Sequence, residues 1–278
     1  MKVSIIGPVK NEAQFIGYSI MAVLPYVHEI VYACAKSDDG TDELLDYIKA
    51  THAKDKLVIL RKPEYDFDVK DMKAYNQSFN DCINASTGDA CWFLHPDMIV
   101  TNPSAIAKMG KGTAWSTHVN SYAKDFTTRI VQGRTSRWKN IHAKKFGLHY
   151  YGGYGSQNED FYHKDLTGDS YVHYGDRFGG YPFRVLESGI SVNHYCELKD
   201  FSRRYDKMVK CLNTLYPGSE PNTIKELAMN HPRVTLESSS DMFGKFVFTE
   251  TTDLVPEVFQ LYKEEFDKIV PTALGVTA

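Results

Sequence analysis

Gly88-Asp89-Ala90-Cys91-Trp92-Phe93-Leu94-His95-Pro96-Asp97 is the stretch from which the fold can be read. A short apolar run stands between Gly-Asp on one side and His-Pro-Asp on the other. Runs of this length and bounding are read as strands buried on both faces, the kind found inside parallel sheets covered by helices. The run ends on an imidazole and a carboxylate. A rigid strand that delivers these two groups to a sheet edge suits a divalent cation held beside a phosphate.

The segments around it repeat the pattern. Met72, Tyr75, Phe79 and Ile83 lie at helical spacing just before the strand. At the start of the chain, Val3 to Ile6 is an apolar strand ending at Gly7-Pro8. Asn11 offers a helix N-cap with Gln14 as its capping-box partner, and Ile16, Ile20, Val23 and Leu24 continue on one helical face until Pro25. Glu29 to Ala33 reads as a second strand. Ser37-Asp38-Asp39-Gly40-Thr41 is a turn into a helix carrying Leu44, Leu45 and Ile48, and Leu57 to Leu60 is a third strand. Alternating strands and helices predict an α/β fold, a mostly parallel central sheet flanked by helices. In such sheets ligands bind beyond the carboxyl ends of the strands. Pro8 to Asn11, Ser37 to Gly40 and His95 to Asp97 all fall there.

The pattern changes after about residue 103. Residues 113–119 are a candidate strand, and Arg129 to Lys145 reads as basic and irregular. Residues 146–184 are rich in Gly, Phe and Tyr, which suits aromatic-lined loops. Phe201, Tyr205, Met208, Leu212 and Leu215, and later Val255, Phe259, Tyr262, Phe266 and Ile269, are two amphipathic helices. The changes of pattern set off three regions, 1–103, which looks like a nucleotide-binding half, 104–200, and 201–278, a helical extension able to cover a site or join two copies.

The chain has 278 residues, 42% hydrophobic and 24% charged, with a formal net charge of −3, so no overall basic field draws it to nucleic acid or anionic lipid. The five cysteines are an odd number without CxxC spacing; read as reduced thiols, they place the chain in a reducing, cytoplasmic setting. No signal peptide is evident, and no apolar run reaches the ~18 residues a membrane span needs.

Val3-Ser4-Ile5-Ile6-Gly7-Pro8-Val9-Lys10-Asn11-Glu12 resembles the opening of family 2 glycosyltransferases, VSIIIPVYNE. Ser37-Asp38-Asp39-Gly40-Thr41 is similar to the second half of their VDDGSTDGT segment. Asn80 stands where that family has the Asn of its RN segment, and His95-Pro96-Asp97 where it has DxD. Glu159-Asp160 resembles its ED motif, and Val192-Asn193-His194 its V-x-H. Where the family carries an Asp pair after the second strand, this chain has Cys34-Ala35, and His95 replaces the first Asp of DxD. The resemblance implies a GT-A (Rossmann-like) fold with C-terminal helical additions, 1–103 being its nucleotide-sugar-binding half and 104–200 its acceptor-binding and catalytic half, with a nucleotide-sugar donor, a divalent Mn²⁺ or Mg²⁺ ion and inversion at the sugar.

From the resemblance and the chemistry together come the candidate residues. Asp97 and His194, with His95, are the metal ligands. Asp160 is the general base that takes the acceptor proton, with Glu159 beside it; Asp176 is a rival base and His173 a rival to His194. Pro8, Asn11, Glu12, Asp39, Asn80 and His95 border the nucleotide, Asp39 facing it rather than Asp38. Arg203 or Arg204 clamps the diphosphate, since a guanidinium pairs bidentately with phosphate. The run Lys199, Arg203, Arg204, Lys207 and Lys210 has a simpler reading as a solvated helix face. The acceptor stays open among glycan, protein and modified nucleic acid, and a homo-oligomer is compatible. Two other functions fit less of the pattern: a non-catalytic carbohydrate- or nucleotide-binding protein on the same fold, and a sugar nucleotidyltransferase, for which the N-terminal loop has too few glycines.

Overall fold

The computed structural model describes residues 1–65, 67, 72–132, 137–144, 148–151, 160–164, 171–173, 185–199, 201–216, 218–236, 239–241, 244–251 and 255–270. In chain order the elements begin with β1 (Val3–Val9), α1 (Ile16–Val23), β2 (Glu29–Cys34), α2 (Thr41–Thr51), β3 (Leu57–Arg61), α3 (Met72–Ala85), β4 (Ala90–Phe93) and β5 (Met98–Val100). They continue with β6 (Ala114–Ala123), β7 (Thr128–Gln132), β8 (Arg137–Ala143), β9 (His149–Tyr151), β10 (Asp160–Lys164), β11 (Tyr171–His173) and β12 (Val185–Glu197). The last are α4 (Phe201–Leu215), α5 (Pro221–Met229), α6 (Pro232–Thr235), β13 (Ser239–Asp241), β14 (Gly244–Glu250) and α7 (Glu257–Ile269).

The expected α/β architecture is present. β3, β2, β1 and β4 lie side by side and parallel, with Ile5 level with Ile30 and with Trp92. Successive residues of a strand face opposite ways, so each strand feeds two cores. Ile5, Ile30 and Trp92 pack with α1, α2 and α7 on one face; Ile6, Val31 and Cys91 pack with Phe79, Cys82 and Ile83 of α3 on the other. Both faces are therefore apolar, which explains why these strands read as unbroken hydrophobic runs.

Beyond β4 the sheet becomes mixed. β8 is antiparallel to β4 and β6, β12 runs parallel to β6, and β5 is antiparallel to β12. Residues 129–145, expected to be irregular, contain β7 and β8. A register shift between Trp115 and Ser116, opposite Ile141 and Lys139, breaks the two-residue alternation there and hides the strand from a periodicity reading. β9, β10 and β11 form a separate antiparallel sheet whose Tyr150 ring stacks on Phe79 of α3 at 4.0 Å.

The C-terminal region brings the expected helices, plus a hairpin. β14 pairs with β7 and so extends the main sheet. α7 returns to the face of α1 and α2, where Phe259 and Phe266 are buried against Tyr18. Among the described residues no helix is long and apolar enough to cross a membrane.

The start of α1 differs from expectation. Asn11 adopts a left-handed backbone, φ 55°, and the helix begins only at Ile16. Asn tolerates this conformation better than most residues. Its side-chain oxygen accepts from the Asp38 amide at 3.0 Å, and its own amide donates to Ser37 Oγ at 3.1 Å. Asn11 thus ties two loops together instead of capping a helix.

Candidate active site

In the parallel part of the sheet the chain moves outward from β1 to β2 to β3, then jumps to the other side of β1 to make β4. The reversal lies between β1 and β4, and the crevice at the carboxyl ends of those two strands is where such sheets bind ligands. A cleft of about 340 Å³ opens there. Pro8, Lys10, Asn11 and Glu12 after β1 form one wall, and Phe93, His95, Pro96 and Asp97 at the end of β4 form another. Lys199, Arg203, Asp206 and Lys207 close it from the C-terminal side, and Phe67 and Tyr75 add an aromatic border.

Asp97 is 2% exposed. The Leu94-His95-Pro96 link turns back on itself, with the Met98 amide donating to the His95 carbonyl at 3.0 Å, and this leads directly into β5. β5 pairs with β12 so that Met98 stands opposite His194. The pairing brings His194 Nε2 to 3.3 Å from Asp97 Oδ1. The two groups, nearly a hundred residues apart in sequence, are joined by sheet register. Asn140 of β8 steadies the end of β4 by donating to the Phe93 carbonyl at 3.1 Å.

The other Asp97 oxygen meets a lysine. Lys199, just past β12, is 7% exposed, so the reading of this run as a solvated face fails at its first member. Its Nζ lies 3.0 Å from Asp97 Oδ2 and 2.8 and 2.7 Å from the two oxygens of Glu12. Three ammonium donors thus meet three carboxylate oxygens. Burial alone would push the Asp97 carboxyl up; Lys199 first, and then His194, overcome it and hold the group well below the ordinary carboxylate range. For Glu12 burial wins over the attraction of Lys199, and its pKa is raised. Burial drives the His95 imidazole down to about 3, so it is neutral at physiological pH. Its ring sits among Phe93 at 4.3 Å, Trp138 at 5.7 Å and His194 at 5.7 Å.

The residues fit a divalent ion in a particular way. Asp97 Oδ1 is buried without a hydrogen-bond partner and faces an imidazole nitrogen. One carboxylate oxygen and one imidazole would hold a divalent ion, Mn²⁺ in preference to Mg²⁺, only with further ligands from outside the pair. No group of three or more His, Cys, Asp or Glu side chains able to hold a metal by themselves occurs among the described residues.

The other expected site residues are divided. Pro8, Asn11, Glu12, His95 and Arg203 reach the cleft. Arg203 also donates to Asp39 Oδ2 at 3.3 Å and to the Asn11 carbonyl at 3.3 Å, joining α4 to both loops. Asp39 does not face the cleft: it accepts from Thr41 and from the Ala13 amide, bracing the loops, while Asp38 lines the cleft in its place. Asn80 is spent on structure, accepting from the Tyr150 amide and donating to its carbonyl, both at 2.9 Å, which fastens β9 to α3. Arg204 turns away from the cleft to the carbonyls of Lys199 and Val234. Asp160 opens β10 opposite Tyr151, and Glu159 and Asp176 lie outside the described residues. Cys34, at the end of β2, is buried and its thiol is pushed up to about 12 by burial, so it offers no charge to a ligand.

No protein-family model and no curated protein matches the chain. Among solved structures it is similar to the mannosyltransferase PcManGT from Pyrobaculum calidifontis in complex with GDP-Man and Mn²⁺, with 13% identity, 82% of this chain and 68% of that one covered, and a TM-score of 0.46. It is similar to S. aureus TarS 1-349, with 10% identity, 84% and 71% covered, and a TM-score of 0.41. A third is glucosyl-3-phosphoglycerate synthase from Mycobacterium tuberculosis in complex with Mn²⁺ and UDP-glucose, with 17% identity, 42% and 43% covered, and a TM-score of 0.33. The chain spans 41% of the length of another similar structure, a mycobacterial protein.

Proposed function

We propose that the protein is a glycosyltransferase that takes a sugar from a nucleotide-sugar donor bound in the cleft between β1 and β4. The observation that carries this reading is the meeting of Asp97 and His194 at the topological switch point, ringed by Lys10, Arg203 and Lys207. A nucleoside diphosphate has the matching chemistry: a flat base for the aromatic and loop border, and a diphosphate for the cationic side.

Pro8 and Asn11 border the nucleoside, and Arg203 receives the diphosphate. Asp97 and His194 would hold a divalent cation, which when bound supplies charge neutralisation for the departing nucleoside diphosphate. Neutral His95 can accept or donate a hydrogen bond but carries no charge into the site. Asp160 takes the acceptor proton as the acceptor oxygen displaces the diphosphate with inversion.

Asp160→Asn separates donor binding from chemistry. The expected result is a transfer rate at least about a hundredfold lower, with donor affinity unchanged, since general-base catalysis contributes that much. Unchanged turnover removes Asp160 from the role.

A further inference from the structure

Lys199 stands where a motif reading puts a solvent-exposed cation, yet it is buried beside Asp97. It binds one of the two Asp97 oxygens and both oxygens of Glu12. A divalent ion held by Asp97 Oδ1 and His194 would therefore share that carboxylate with an ammonium already 3.0 Å from its other oxygen. Like charges so placed repel strongly in a site shielded from water. Glu12, the other carboxylate that Lys199 touches, is held by the same ammonium.

We propose that Lys199 is a resident counter-ion that keeps the metal affinity of the Asp97–His194 pair low in the nucleotide-free protein, so that the divalent cation enters together with the donor's diphosphate. The second half rests on the donor-site reading given above; the first does not. The diphosphate supplies the negative charge and the oxygen ligands that the protein withholds. In the metal-free cleft burial would lower the Lys199 pKa, but Asp97 and then Glu12 raise it above the ordinary lysine value. Such an arrangement protects an aspartate and a histidine from stray metal and couples ion entry to substrate.

The test is a Mn²⁺ titration followed by the electron paramagnetic resonance of the free ion. It uses the full chain as wild type, Lys199→Met, and the double variant Glu12→Gln with Lys199→Met. The double variant removes both Lys199 and its Glu12 partner and so avoids two unpaired buried carboxylates. Without nucleotide, both variants are expected to bind Mn²⁺ at least about tenfold more tightly than wild type, because the repelling charge is gone. With UDP, GDP, ADP, CDP and TDP added in turn, one nucleotide is expected to raise wild-type Mn²⁺ affinity to the level of the variants. A wild type that binds Mn²⁺ as tightly as both variants without nucleotide overturns the role of Lys199. Variants that tighten, in a protein that no nucleotide affects, uphold that role and overturn the donor-site reading.

Discussion

Arg203 and Arg204 are neighbours with opposite tasks. Consecutive residues of a helix point about 100° apart, so only one of the pair can face the cleft. Arg203 does, reaching Asp39 and the Asn11 carbonyl; Arg204 joins the start of α4 to α6 through Val234. Arg203→Ala is expected to weaken nucleoside diphosphate binding by about tenfold or more, the worth of one charge-assisted contact. Arg204→Ala should leave binding nearly intact and lower stability by about 1 kcal/mol, read by urea denaturation. Sequence named both arginines but could not choose, because the rotation of α4 is set by packing far from this point. The same limit chose Asp39 over Asp38. Lys199 was harder still: a lysine next to a helix is ordinarily solvated, and only the register of β12 against β5 reveals that it is buried.

Glu29 shows a residue acting on stability alone. Its carboxylate accepts from Ser4 Oγ at 2.7 Å, from Thr87 Oγ1 at 3.0 Å and from the Gly88 amide at 3.3 Å, locking β1 and β2 to the turn before β4. Burial would raise its pKa, but the Thr87 and Ser4 hydrogen bonds and the charge of His28 lower it below the ordinary 4.5. A group with a depressed folded pKa stabilises the protein above its unfolded value, and that stability is lost as pH falls through the folded value. Glu29→Gln should cost about 1–3 kcal/mol near neutral pH. The deficit relative to wild type should shrink once the pH drops below about 4.5. A deficit that stays constant to acid pH would contradict this account.

At the scale of elements, α7 is the segment that closes the structure. Phe266 lies directly over Gly17 of α1: a Cβ added there would stand 2.7 Å from the ring. Gly17→Ala is therefore expected to destabilise by about 1–3 kcal/mol through overpacking, although alanine ordinarily favours a helix. Glu265 fixes the same helix to α2 through Tyr47 at 2.9 Å. Limited proteolysis checks the consequence, with cleavage near residue 257 faster in Gly17→Ala than in wild type. The elements of the parallel sheet were legible because each is a local pattern: an apolar run, a turn, an amphipathic helix. β7 and β8 were not: a bulge interrupts the alternation of β8, and basic residues stand in both strands. α1 was placed too early because Asn11 serves as loop brace, a role its residue type shares with capping.

At the scale of the molecule, the cleft is assembled from three parts that are distant in sequence. β1 and β4 supply the Asn11–Glu12 and His95–Asp97 walls, and β12 with α4 brings His194, Lys199 and Arg203 across to meet them. The β1–β4 switch point follows from strand order, and strand order follows from the alternating pattern, so this part of the site could be anticipated. The Lys199 pairing depends on a long-range strand register that no local pattern encodes. The central claim is that this cleft binds a nucleotide-sugar. It is tested most directly by isothermal titration of UDP-, GDP-, ADP-, CDP- and TDP-sugars with Mn²⁺ present, into wild type and the isosteric Asp97→Asn. The account predicts saturable binding of the sugars of one nucleotide, weakened about tenfold or more in Asp97→Asn. Absence of binding by every nucleotide-sugar, in a protein that remains folded, would contradict it.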